Sequence, residues 1–404
     1  MKHFKDIIIP LIIAVFMLYT APSRAQSNTE QTRQESLLAQ MDSVEISLLT
    51  CGPGKEIYSL YGHTAIRFTD KALGSDLAIN YGMFSFQQEF FIPRFILGLT
   101  DYEMGICPMD MFIAEYQYEG RWVKEQKLSL TREDKLLIAQ AIDTNYRPEN
   151  KVYRYNYFYD NCTTRARDLI VNHLKGEQID YHFLQEKEKN PTTYRNDIHQ
   201  YNIHEPWARF ANDALLGVAS DLRINDIQQQ FLPNKLMDDF SRATIGNGKD
   251  QRKFVENESW LIPPTQKMTD DNPFFRPITC AWCLFILTLL VTIVEWRKKK
   301  CAWGYDLALL VLTGIAGLLP AIMFFSAHPT VNTNIQLTIL NPLPLFCVYS
   351  VIKKERKNGR HWFWKLEIAL VTFFLIGGFF QSYAEGMYLL ALSLLVRSIA
   401  NIRR

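Results

Sequence analysis

The chain has 404 residues, room for more than one domain, with 48% hydrophobic and 21% charged residues. A formal net charge of +2 supplies no basic field for a polyanion, which sets nucleic acid aside as a partner. Seven cysteines are too few for a scaffold built on disulfides.

In chain order, Lys2, His3 and Lys5 precede an apolar run over 7–19, and Ser23-Arg24-Ala25 puts small residues where a signal peptidase reads. Residues 1–25 are expected to be an export signal, with Gln26 starting the mature chain. No cysteine stands near that cut, so the mature chain is not expected to be a lipoprotein itself. Export would let Cys51 and Cys107 pair, with two unpaired buried thiols as the equal alternative.

Residues 26–275 read as a soluble exported α+β domain. Short β-branched or aromatic runs at 44–49, 65–68, 77–81 and 152–159, divided by Gly, Pro and Asp, predict strands. Trp122, Tyr153, Tyr155, Tyr157 and Tyr159 have the spacing of a packed strand face. Thr131, with Glu133 and Asp134 behind it, starts a helix whose apolar side carries Leu136, Leu137, Ala141 and Ile142. A second helix over 162–174 has Asp160 or Asn161 as its cap and Ala166, Leu169, Ile170 and Leu174 on one side. Beyond Lys175 the pattern is mostly helical, broken by Pro191, Pro206 and Pro233.

Residues 276–404 differ in kind. Apolar stretches at 278–294, 305–325, 335–352, 362–380 and 386–399 are each long enough, or nearly so, for a bilayer core of about 30 Å, which predicts an all-α membrane domain of five transmembrane helices. The third, interrupted by Asn341, Pro342 and Pro344, and the short fifth carry the weakest signal. Arg297, Lys298, Lys299 and Lys300, then Lys353, Lys354, Arg356, Lys357 and Arg360, then Arg397, Arg403 and Arg404 fall on one side. Loops 326–334 and 381–386 have neither Lys nor Arg, so the basic side is cytoplasmic and the soluble domain periplasmic. The expectation is a multi-pass protein of the inner (cytoplasmic) membrane.

Two residues stand out chemically. Cys162 opens the predicted helix 162–174, and His63 lies in the strand-like Tyr61-Gly62-His63-Thr64-Ala65-Ile66. A thiol is nucleophilic as thiolate, and a helix start plus an imidazole are the usual means of lowering its pKa. A buried small hydrophobe and a satisfied core histidine are the bland readings of the two. Here the base precedes the nucleophile, the order of circularly permuted papain-like hydrolases and acyltransferases. His199 and His204 fit no zinc spacing, and His173 and His182 lack cysteine or carboxylate residues at motif spacing, so no metal and no cofactor is expected. His328, Asn332, Asn334 and Asn341, near the outer ends of spans, are either solvated loop residues or contacts for a substrate headgroup.

The Gly62-His63-Thr64-Ala65-Ile66 strand, the Asn80-Tyr81-Gly82-Met83-Phe84 segment and the Asp160-Asn161-Cys162-Thr163-Thr164 helix start resemble the periplasmic domain of the Bacteroidota lipoprotein N-acyltransferase family. The five-span tail is similar to that family's membrane domain. More distantly, the pairing looks like lecithin:retinol acyltransferase and the permuted cysteine amidases. The resemblance implies a permuted papain-like (NlpC-like) fold, Cys162 as nucleophile, His63 as base and Asn80 as the residue orienting the imidazole. Tyr61 and Asn161 are candidates for oxyanion or supporting contacts. It implies membrane phospholipids as acyl donors and diacylated lipoproteins as acceptors, and leaves the oligomeric state open. A membrane-anchored cysteine amidase or peptidase acting on cell-wall peptide, and a non-catalytic envelope scaffold, remain as alternatives.

Overall fold

The structure, a computed structural model, describes residues 26–176, 178–181, 191–246, 250–265 and 275–403. The export signal expected at 1–25 lies outside the described residues.

The exported part is built on a seven-stranded antiparallel sheet. Its strands are β1 (Val44–Cys51), β2 (His63–Asp70), β3 (Ser75–Met83), β4 (Asp101–Pro108), β5 (Val123–Leu128), β6 (Val152–Arg154) and β7 (Val255–Ile262), in the spatial order β7-β5-β1-β2-β3-β4-β6. Alternation along the strands gives the sheet two apolar faces. Leu49, Cys51, Ala65 and Ala78 pack against Met109, Phe112 and Tyr116 of helix α1 (Met109–Glu119). On the other face Ile46, Leu48, Ile66 and Ile79 meet α2 (Arg132–Tyr146), α3 (Cys162–Val171) and, after the short α4 (Tyr194–His199) and α5 (Pro206–Leu215), α6 (Pro233–Arg242). Full burial of such a side chain contributes about 1.5–3 kcal/mol, so these two layers fix the position of α3 on the sheet. The predicted start of α2 is present as a capping box, in which Thr131 accepts from Asp134 N–H and Asp134 accepts from Thr131 N–H.

Two expectations need correction, and of the two alternatives for Cys51 and Cys107 the structure shows the unpaired one. The strand expected over 152–159 ends at Arg154, because Asn156 Oδ1 accepts the N–H groups of Phe158 and Tyr159 at 3.2 and 3.1 Å and turns the chain. Tyr157 therefore packs with Phe158, Tyr194 and Phe231 in a separate cluster, away from Tyr153. The helical reading beyond Lys175 misses β7, an edge strand whose Glu256, Asn257 and Glu258 face solvent and so lack an apolar alternation. Cys51 and Cys107 are free thiols. Cys51 sits on β1 and Cys107 on β4 with β2 and β3 between them, so three strand spacings, about 14 Å, separate them where a disulfide needs Cα atoms within about 7 Å.

The remainder is helical: α7 (Pro277–Lys298), α8 (Trp303–Ala316), α9 (Leu318–Met323), α10 (Leu343–Glu355), α11 (Phe363–Gly377) and α12 (Met387–Arg403). Among the described residues three stretches are long and apolar enough to cross a membrane: Pro277–Lys298, Trp303–Met323 and Ile335–Glu355. The last two helices, of 15 and 17 residues, rise about 23 and 26 Å, short of a full bilayer core. Gly317, between α8 and α9, lets the chain at Asn341 approach, since a methyl there would fall 2.4 Å from Asn341 N. Arg397 is not a loop cation. It is fully buried on α12, bidentate to Asp306 at 2.7 Å and paired with Glu295 at 2.7 Å, which leaves the one-sided charge bias expected of the loops to the other basic residues.

Candidate active site

Cys162 is the first residue of α3, placed there by its neighbour. Asn161 Oδ1 accepts from the N–H groups of Thr163 and Thr164, both at 2.9 Å, while its Nδ2 donates to the carbonyls of Tyr157 and Phe231. The Asn161 amide is thus spent on holding the helix start and has no donor left for a substrate oxygen. Thr163 and Thr64 share a hydroxyl hydrogen bond of 3.0 Å in the core, which ties the first turn of α3 to the residue after His63.

His63 begins β2, and Ala65 pairs with Asn80 across β2 and β3, making His63 a diagonal neighbour of Asn80 on the same face. The side chains meet: His63 Nε2 donates to Asn80 Oδ1 at 3.0 Å, and Asn80 Nδ2 points to the Ala78 carbonyl and the Cys107 sulfur. With Nε2 committed to Asn80, Nδ1 is left for the thiol, and the His63 ring is near enough to Cys162 for each to shift the other's ionisation. Cys162, His63 and Asn80 therefore form one connected line.

Its electrostatics follow from that contact. Burial alone would push the Cys162 thiol up, but the His63 charge and hydrogen bond, the Thr64 backbone N–H and the Thr163 hydroxyl outweigh it and bring the thiol down to about 7. Burial disfavours the imidazolium of His63 as well, yet the Cys162 charge and the bonds to Cys162 and Asn80 raise its pKa. Thiolate and imidazolium stabilise each other. Cys51, directly opposite His63 on β1, shows the contrast: buried next to Tyr116, its thiol is pushed up to about 12. The cap takes the Thr163 and Thr164 N–H groups but not that of Cys162, a backbone donor beside its own sulfur.

Gly82 makes the approach to the thiol. It has φ +83, and a methyl there would fall 3.3 Å from the Tyr155 ring and 3.7 Å from Cys162 Cβ. Tyr155 and Cys162 thus flank the same stretch of backbone. Tyr155 also lines a cavity of about 220 Å³ between the sheet domain and the helical bundle, with Tyr61, Tyr102, Leu215, Met323 and His328 in its wall. No Asp, Glu, Lys or Arg is among its lining residues. The Tyr61 hydroxyl accepts from Asn202 and Asn212 at 2.9 and 2.6 Å, so it belongs to the cavity wall.

The polar residues of the outer loops divide. His328 lines the cavity and hydrogen-bonds the Phe95 carbonyl at 3.0 Å. Asn332 is exposed. Asn334 and Asn341 are structural: Asn334 bridges Ala214, Gln336 and Gln381, and Asn341 accepts from the N–H of Leu343, the first residue of α10, and donates to the Thr338 carbonyl. Sequence reasoning missed the group that joins the two parts. Fully buried Arg195 pairs with Asp213 at 2.9 Å and Asp221 at 2.8 Å, and Gln336 and Gln381 of the bundle donate to the carbonyls of Asp213 and Leu216. An Arg after Tyr194 carries no spacing that marks it.

Residues 32–196 match the family model described as the Lnb N-terminal periplasmic domain, and residues 269–404 match the one described as the Lnb transmembrane domain, whose label specifies five transmembrane helices. No curated protein and no solved structure matches the chain.

Proposed function

The chain belongs to the Lnb family, as a membrane-anchored protein with a periplasmic part, and from that premise we propose that it is a lipoprotein N-acyltransferase of the inner membrane. The observation that carries the reading is the Cys162, His63 and Asn80 line beside an aromatic cavity without Asp, Glu, Lys or Arg at the seam with the membrane bundle.

The Cys162 thiolate attacks the carbonyl carbon of a phospholipid acyl ester, forming a C–S bond and an oxyanion that the Cys162 N–H at the helix start stabilises. One such donor is worth on the order of 3 kcal/mol. The C–O bond to the glycerol breaks, the departing oxygen takes the proton of the His63 imidazolium, and a lysophospholipid leaves a thioester on Cys162. The free α-amine of an S-diacylglyceryl cysteine then attacks the thioester and gives its proton to neutral His63. A C–N bond forms, the C–S bond breaks, and the thiolate returns with an N-acylated lipoprotein as product. Asn80 keeps the Nε2 proton in place, so Nδ1 does the proton transfer.

A wall without Asp, Glu, Lys or Arg suits acyl chains and is a poor host for the carboxylates and amines of cell-wall peptide, which supports acyl transfer over peptide hydrolysis. His328 at the cavity and exposed Asn332 are the candidates for contact with a headgroup. The test is transfer by the purified protein in phospholipid vesicles. A diacylated lipopeptide with a free amine should gain one acyl chain, and its N-acetylated counterpart should not. Cleavage of peptidoglycan fragments without any N-acylated lipopeptide would replace this reading with the amidase.

A further inference from the structure

Between β3 and β4 the chain passes through residues 84–99, which carry Glu89 and Arg94 as their only charged side chains. Arg94 is spent on Asp101 at 2.5 Å. The segment contains a short helix, Phe91–Ile96, yet it presents its apolar side chains outward: Phe86 is 64% exposed, Phe90 77% and Ile92 70%, with Phe95 and Leu99 also exposed. A contiguous apolar patch of this kind on an exported domain marks an interaction surface.

Its neighbours say what covers it. The Leu97 carbonyl accepts from Ala327 N–H at 2.9 Å, the Phe95 carbonyl bonds His328, and Gly98, at φ +69, lies against the Ala327–His328 backbone. Those loop residues follow directly on the Trp303–Met323 span, whose end is marked by exposed Phe324 and Phe325. The patch is therefore level with the end of a membrane-spanning helix, on the side of the periplasmic domain. Aromatic side chains concentrate at that depth, and a near-neutral apolar segment seats there through burial of its rings. Inward from it, Phe91 stacks on Phe84, Phe84 meets Tyr102 with centroids 5.2 Å apart, and Tyr102 stacks on Tyr155 at 4.4 Å. This aromatic column ends beside Cys162.

We propose that segment 84–99 is a lipid-contacting element seated in the periplasm-facing leaflet, holding the mouth of the cavity at the level of the acyl chains. The seating rests on the membrane-anchored architecture alone; only the route of an acyl chain along the column to Cys162 rests on the acyl-transfer reading. The probe is p-benzoylphenylalanine placed at Phe90 or Ile92 of the full chain carrying Cys162→Ala, reconstituted in phosphatidylethanolamine and phosphatidylglycerol vesicles. Leu73 is the control, exposed in the turn at the far end of the β2–β3 hairpin, about 26 Å along the strand from Met83. After irradiation, mass spectrometry should find phospholipid adducts at position 90 or 92 in at least tenfold excess over position 73. Adducts at neither position, or equally abundant at 73, overturn the proposal. Because the variant has no nucleophile, the outcome is separate from that of the transfer assay: adducts with an inactive wild-type protein would keep the seating and sink the function.

Discussion

Replacing His63 by alanine should return Cys162 to the behaviour of a buried thiol. The present thiol, brought down to about 7 from an ordinary 9.0, is half ionised at neutral pH, whereas a thiol at 9.0 would be about 1% ionised. The difference corresponds to about 2.7 kcal/mol of preferential stabilisation of the thiolate; without His63, burial, which pushes the thiol up, is opposed only by the Thr64 N–H and the Thr163 hydroxyl. The assay is alkylation of the reconstituted protein by iodoacetamide from pH 5 to 10, read peptide by peptide by mass spectrometry. The midpoint of the profile is the quantity to follow, since a more basic thiolate is intrinsically the better nucleophile and the rate at one pH understates the shift. Wild-type Cys162 should show a midpoint near 7 and His63→Ala one at or above 9, while Cys51, near 12, stays unreactive in both. A wild-type midpoint of 9 or more, or no movement in His63→Ala, would refute the ion-pair account.

Other outcomes follow from the same contacts. Acyl transfer should rise as pH climbs through about 7, where the Cys162 thiolate forms, and fall again above the raised pKa of His63, where the imidazolium is lost; a rate flat across that window contradicts the pairing. Asn80→Ala, which frees the Nε2 proton, should cost about 2- to 13-fold in kcat, the worth of one hydrogen bond, with little change in KM, measured in the transfer assay. Arg195→Ala takes the guanidinium from Asp221 and leaves Asp213 to His199 and Arg209 at the seam, and breaking these buried pairs should destabilise the protein by about 3–5 kcal/mol, seen as a lower Tm in detergent; an unchanged Tm would mean that the seam is not held this way.

Local chemistry was legible in the sequence and long-range assembly was not. Thr131 with Asp134, and Asn161 before Cys162, announce helix starts because a cap acts within three residues. The Gly62-His63 and Asn80 segments lie on adjacent strands joined by a short turn, so their meeting follows from a hairpin register. The strand expected across Tyr153 to Tyr159 failed because one side chain, Asn156, turned the backbone against the aromatic alternation. Arg397 counted as a cytoplasmic cation until its partner Asp306, distant in sequence, appeared beside it in the bundle. The cavity and the seam depend on pairs such as Asn334 with Ala214 and His328 with Phe95, and no pattern in either stretch announces the other.

The central claim is that Cys162 carries an acyl group taken from phospholipid. The most direct measurement is the intact mass of the Cys162 peptide after incubation of the purified protein with phospholipid of defined chain length and without any amine acceptor. The account predicts an added mass equal to that acyl chain, removed by neutral hydroxylamine, absent in Cys162→Ala, and discharged onto a diacylated lipopeptide when one is supplied. A Cys162 peptide that stays unmodified while lipopeptide is nevertheless N-acylated would contradict it.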